Sequence, residues 1–93
     1  MFNVNEYFDG TVKSLGFDNK AGKVTIGVMA KGEYEFGTSM VEHMTVTSGE
    51  MKVLIDGETE WKVYGEYETF RVEKDSSFKV ILEDQTSYKC VYS

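Results

Sequence analysis

The sequence predicts a single all-β domain of sandwich or barrel architecture, and three observations predict it. Short runs rich in Val, Ile, Thr, Tyr and Phe alternate apolar and polar residues with period two. Nine glycines and no proline fall between those runs, which suits tight turns between strands rather than linkers between domains. No segment of helix length sustains a 3.6-residue apolar period.

Taken in order, the runs are Thr11 to Leu15, Lys23 to Met29, Glu33 to Thr38, Glu42 to Ser48 and Met51 to Ile55. Trp61 to Tyr64, Phe70 to Val72, Phe78 to Leu82 and Tyr88 to Tyr92 follow. Alternation is clearest in Met51-Lys52-Val53-Leu54-Ile55, Trp61-Lys62-Val63, Phe70-Arg71-Val72 and Tyr88-Lys89-Cys90, each with apolar side chains on one face and charge on the other. Asn19-Lys20-Ala21-Gly22, Ala30-Lys31-Gly32 and Asp56-Gly57 carry turn chemistry. About nine strands so punctuated suit a closed or two-layered β architecture.

Ninety-three residues hold one domain, residues 1–93, and leave no room for a second core. With 41% hydrophobic and 14% aromatic residues, the chain has enough apolar surface to order itself without disulfides or metals. Its single cysteine, Cys90, excludes an internal disulfide and a multi-cysteine zinc site, and fits a reducing, cytoplasmic location. The start Met1-Phe2-Asn3-Val4-Asn5-Glu6 has neither a basic flank nor an apolar stretch, and no run approaches the ~20 apolar residues of a membrane helix. The expectation is a protein without a membrane partner. A net charge of −6 with no basic cluster argues against nucleic acid as a partner, because phosphate backbones are held by clustered Lys and Arg.

Standard catalytic signatures are missing: there is no GxxxxGK[ST] loop, no GxSxG elbow and no His/Cys ligand spacing. His43 is the one histidine and is expected on an outer face. Parity then turns Glu42 inward with Met44, Val46 and Ser48. An inward carboxylate is costly unless it is paired, so Glu42 either lies near a rim or does chemistry. In the preceding run Tyr34, Phe36 and Thr38 share the face better suited to the interior, against Glu33, Glu35 and Gly37. Residue pattern alone therefore reaches a small β structure whose pocket holds aromatics, hydroxyls and one candidate carboxylate.

The stretch Gly27-Val28-Met29-Ala30-Lys31-Gly32-Glu33-Tyr34-Glu35-Phe36-Gly37-Thr38, followed by Glu42-His43-Met44-Thr45-Val46-Thr47-Ser48-Gly49, resembles the signature of the cupin-type pyrimidine/purine nucleoside phosphorylases. Asn5-Glu6-Tyr7-Phe8-Asp9-Gly10 with Val12-Lys13-Ser14, Trp61, Phe70-Arg71-Val72 with Ser76-Ser77-Phe78, and Thr86 to Tyr92 extend that resemblance over nearly the whole chain. It implies a single-domain cupin-like jelly-roll β-barrel. It also implies cleavage of purine and pyrimidine nucleosides by inorganic phosphate, giving free base and α-D-ribose 1-phosphate, with no metal or organic cofactor and a homodimeric assembly.

Glu42 and Gly49 match the end of the first motif of the wider cupin pattern, where the glutamate often binds metal. The histidine positions hold Phe36 and Thr38, or Glu35 and Gly37, and the second-motif histidine falls near Phe78, so a metal cupin is not expected. Tyr67 stands where the family usually has glycine, and Glu73 where a proline usually follows.

Under this resemblance Glu42 is the expected catalytic residue, accepting hydrogen bonds from the ribose hydroxyls or bracing a cationic sugar. Tyr34, Phe36 and Phe78 are expected to stack on the base, which tolerates any base because each has a π-face; the same rings also serve as core. Thr38 and Ser76 are expected donors to phosphate or base. Lys13 is the expected phosphate contact, against the plainer reading of a solvated lysine. The competing functional class is a non-catalytic, small-ligand-binding or interaction cupin.

Overall fold

The computed structural model describes all residues, Met1–Ser93. Ten strands form: β1 (Asn3–Tyr7), β2 (Val12–Asn19), β3 (Gly22–Met29), β4 (Gly32–Gly37), β5 (Glu42–Ser48), β6 (Met51–Ile55), β7 (Lys62–Tyr64), β8 (Thr69–Val72), β9 (Ser77–Leu82) and β10 (Thr86–Tyr92). They build a six-stranded sheet, β1-β2-β3-β10-β5-β8, facing a four-stranded sheet, β4-β9-β6-β7. Every pairing is antiparallel. No helix is long and apolar enough to cross a membrane.

One cluster of 14 buried residues fills the space between the sheets. A row of rings runs through it and out to the exposed Phe8. Phe8 meets Tyr34 at 5.1 Å between centroids, Tyr34 meets Phe36 at 6.2 Å, and Phe36 meets Phe78 at 5.4 Å. The row continues through Phe70 at 5.8 Å to Tyr64 at 4.8 Å. Tilted and edge-on pairs of this kind add to simple area burial. Inward alternation of Met51 and Val53, of Phe70 and Val72, of Phe78, Val80 and Leu82, and of Tyr88 and Cys90 supplies the rest.

The chain passes from β5 in one sheet to β6 in the other at Gly49, with φ of 92°. A Cβ there would lie 2.7 Å from Thr86 Oγ1 and 3.1 Å from the Gln85 carbonyl oxygen, so both conformation and space demand glycine.

The structure adds one strand to the runs named above and corrects two local expectations. The segment Asn3–Tyr7, outside those runs, pairs with β2 from Asn3↔Gly16 to Tyr7↔Val12 and becomes an edge. Ser48 does not follow Met44 and Val46 inward: a bulge between Ser87 and Tyr88 shifts the pairing from Tyr88↔Val46 to Ser87↔Ser48, which reverses the parity and leaves Ser48 exposed. In β7 the inner face is taken not by Trp61 and Val63 but by Tyr64, which pairs with Met51 and stacks on Phe70. Val63 is 54% exposed, and the exposed Trp61 ring lies 5.8 Å from the Lys52 ammonium. A tyrosine ring buries more apolar area than a valine, so it sets the register of this three-residue edge.

The two departures from the family pattern have structural readings. Tyr67 adopts φ of 68° with its amide donating to the Val46 carbonyl at 2.6 Å and its ring exposed. Left-handed backbone costs a non-glycine residue about 1–2 kcal/mol, and glycine gives back about 0.4–1 kcal/mol through its freer unfolded chain. Tyr67→Gly is therefore expected to stabilise the fold by about 0.5–1 kcal/mol, a rise of a few degrees in melting temperature. A fall instead would mean that the ring contributes more than the strain costs. Glu73 accepts a bond from Thr38 through its carbonyl oxygen, a group that proline also presents, so that contact does not depend on the residue type.

Candidate active site

Between the sheets lies a cavity of about 290 Å³, at the small end of the ~300–1,000 Å³ usual for small-ligand sites. Phe8, Phe36 and Phe78 form an aromatic wall, and Met29 and Met44 add apolar surface. Glu42, Ser14, Tyr7, Tyr88 and Tyr92 bring polar groups to it, and exposed Glu35 and Gly37 complete the lining. No Lys, Arg or His lines this cavity.

Glu42 opens β5 opposite Tyr92 of β10 and Val72 of β8. Its carboxyl is half-buried, and burial pushes its pKa above the usual carboxylate range; a bond from the Cys90 thiol and the charge of Lys23 oppose that rise. The thiol donates to Glu42 Oε1 at 3.5 Å. Burial and the neighbouring Glu42 charge push the Cys90 pKa up to about 12, so Cys90 is a protonated donor and not a nucleophile at neutral pH.

Burial also pushes Tyr88 up to about 12, with a hydrogen bond to Ser14 working the other way, and raises Tyr92, whose hydroxyl stands 3.2 Å from Thr25 Oγ1. These groups stay protonated near neutrality. The cavity thus offers a carboxyl and several neutral hydroxyls against a face of aromatic rings. Room for Tyr88 comes from Gly27, its partner across the sheet: a Cβ at Gly27 would fall 2.5 Å from the Tyr88 ring.

The structure gathers Glu42, Phe36 and Phe78 around this cavity and places the other expected residues elsewhere. Tyr34 stacks behind the wall, between Phe8 and Phe36, with its hydroxyl donating to the Ala30 carbonyl at 2.7 Å. Thr38 clamps the turn before β9: its hydroxyl donates to the Glu73 carbonyl at 2.6 Å and accepts from the Ser76 amide at 3.0 Å. The Thr38 amide in turn donates to the Ser76 carbonyl at 3.0 Å. Both residues fasten β4 to the β8–β9 turn, outside the cavity lining.

Lys13 points away from the cavity, because Val12 and Ser14 occupy the inner face of β2. It sits 3.6 Å from the Glu6 carboxylate on the outer face, beside a different groove. His43 lies on the outer face opposite Arg71 and Val91. No group of three or more His, Cys, Asp or Glu side chains is placed to hold a metal ion.

Sequence reading missed Tyr7, Phe8, Ser14, Tyr88 and Tyr92. The alternation Tyr88, Cys90, Tyr92 against Lys89 and Val91 carried the signal for β10, and Ser14 follows from the same parity that excludes Lys13. Tyr7 and Phe8 stood in a family-matching run but carried no alternation signal: they reach the cavity from an edge strand and a turn in which Phe8 takes φ of 52°.

Comparison with known proteins agrees with this architecture. The family model described as pyrimidine/purine nucleoside phosphorylase matches residues 2–92. A protein of Erwinia tasmaniensis named pyrimidine/purine nucleoside phosphorylase is 52% identical over 93 residues, covering 99% of this chain and 97% of the relative. A crystal structure of a Vibrio parahaemolyticus protein of unknown function superposes with a TM-score of 0.93 at 46% identity, covering 97% of this chain and 96% of that one. An RmlC-like cupin from Shewanella frigidimarina superposes with a TM-score of 0.74 at 18% identity, over 99% of this chain and 83% of its own, which establishes the cupin fold. This chain belongs to the pyrimidine/purine nucleoside phosphorylase family.

Proposed function

We propose that this protein cleaves purine and pyrimidine nucleosides with inorganic phosphate. The observation that carries the reading is the cavity itself, where the half-buried Glu42 carboxyl faces a wall made by Phe36, Phe78 and Phe8. A phosphate oxygen bonds to C1′ as the glycosidic C–N bond breaks; the bonding pair leaves with the base, which takes up the proton that hydrogen phosphate gives up, and α-D-ribose 1-phosphate remains. The transition state concentrates positive charge on the ribosyl ring, so the protein's task is to position two substrates and stabilise that charge.

The half-buried Glu42 carboxylate supplies the negative charge. Aromatic faces hold the base without reading its edge, which supports breadth of specificity. Tyr88, Tyr92 and Ser14 donate to the sugar or phosphate oxygens. No metal takes part in this scheme.

A second copy of the chain completes the proposed assembly. Val4, Leu15 and Ile26 form a continuous row of exposed aliphatic side chains across β1, β2 and β3, a face whose covering would remove apolar surface from water.

The test is incubation of purified protein with inosine or uridine, with and without phosphate, before and after dialysis against a chelator, with light scattering on the same sample. Base is expected only when phosphate is supplied, at an unchanged rate after chelation, from a particle of twice 10.6 kDa. Release without phosphate would identify a hydrolase, and binding without release a ligand-binding cupin. Loss of activity on chelation would overturn metal independence, and a monomer would overturn the dimer.

A further inference from the structure

The nucleoside cavity holds no cation, yet the proposed co-substrate is an anion and the chain is acidic overall, which disfavours phosphate approach everywhere except near an isolated positive group. A second cavity, of about 360 Å³, adjoins the first and shares Tyr7 and Tyr92 with it. Lys23 is the only cationic side chain lining either.

Lys23, the second residue of β3, lies opposite Tyr92, and its ammonium is 5.2 Å from the centroid of that ring. The molecule's three ion pairs engage Lys13, Lys62 and Arg71, so Lys23 has no carboxylate within ion-pair distance. Asn5 and Thr25 bring an amide and a hydroxyl to the same cavity. The Asn5 amide donates to Ser14 Oγ at 3.4 Å, a long contact to a residue that lines the nucleoside cavity, so Asn5 stands at the junction of the two.

We propose that inorganic phosphate binds in this second cavity, held by the Lys23 ammonium with Asn5 as a neutral donor, and meets C1′ of the nucleoside across the boundary formed by Tyr7 and Tyr92. The proposal rests on the phosphorolytic reading and gives it the anion subsite that the inner cavity lacks. A lysine suits the role because its ammonium is a compact charge with three donors and needs no planar partner. Two adjoining compartments also account for how one small barrel admits two reactants at once. The base lies on the aromatic wall, the phosphate at the polar β1 edge, and the sugar carbon at their junction, where Glu42 already senses the Lys23 charge.

Initial rates measured against phosphate and against nucleoside separately, in the parent, Lys23→Gln and Lys23→Arg, test it, with Lys89→Gln on the outer face as a control for lost charge. Calorimetric titration of inorganic phosphate into each protein without nucleoside gives a readout independent of turnover. Lys23→Gln is expected to raise the KM for phosphate by about 10–100-fold and weaken phosphate binding in parallel. The nucleoside KM should stay within about twofold, Lys23→Arg should recover part of the loss, and Lys89→Gln should match the parent. An active Lys23→Gln variant with parental phosphate KM overturns the proposal and leaves phosphorolysis standing. A parent that binds phosphate through Lys23 but releases no base upholds the anion site and overturns phosphorolysis. A parent that neither binds phosphate nor uses it overturns both.

Discussion

Replacing Glu42 with glutamine is expected to lower turnover by about 10²–10³-fold while leaving the protein at least as stable as the parent at neutral pH. Glutamine keeps the volume and the oxygen that accepts from the Cys90 thiol, so packing around β5 persists. What disappears is the charge that the proposed reaction sets against a developing ribosyl cation.

Stability moves the other way because burial holds the Glu42 pKa above its unfolded value. A group raised in this way contributes stability that is fully present below its unfolded pKa and is lost as pH rises through its folded pKa. The parent therefore loses stability over that window and the Glu42→Gln variant does not, so the gap between their melting temperatures widens in the variant's favour as pH rises above the ordinary carboxylate range. Melting curves at several pH values and turnover per folded molecule, taken on one preparation, decide the matter. Turnover within about threefold of the parent would remove Glu42 from the site. A variant that melts lower while remaining active would make it a structural residue.

Phe78→Ala is expected to cost about 3–5 kcal/mol of folding stability. The ring is 2% exposed, sits mid-row between Phe36 and Phe70, and belongs to β9, the strand that joins β4 to β6 in the smaller sheet. Its removal opens a void that neither neighbour can fill without leaving the other rings of the row. Against the ~5–15 kcal/mol typical of a small domain, the loss is a large share. The midpoint of urea unfolding should fall with little change in slope, and a cost below about 1.5 kcal/mol would show that the row does not brace the core. Phe78→Leu separates packing from function: it fills most of the volume and removes the π-face. It should fold with a raised nucleoside KM and an unchanged phosphate KM.

Much of this architecture could be read from residue order because strand parity is local. Phe70-Arg71-Val72 and Tyr88-Lys89-Cys90 declare their inner faces in three residues, and the inward position of Glu42 follows from Met44 and Val46 beside it. Failures occurred where a neighbour intervened. The Ser87/Tyr88 bulge turned Ser48 outward, and Tyr64 displaced Val63 from the core because Phe70 offered it a stacking partner.

By itself, then, the sequence determined an all-β domain, the inward Glu42 and the aromatic face of β4, because each depends on alternation within one strand; the match of its residues to a nucleoside phosphorylase pattern came from the same string. Only the tertiary structure decided which hydroxyls serve a cavity and which fasten a turn. Thr38 and Ser14 are both buried and inward, yet Thr38 is consumed by Glu73 and Ser76 while Ser14 lines the cavity. It likewise paired Lys13 with Glu6 on the outside and set Lys23, which no local pattern distinguishes, on a cavity wall. A side chain's chemistry is fixed by its type, but its availability depends on what the other strands place within hydrogen-bonding reach, and that is a property of the assembled barrel.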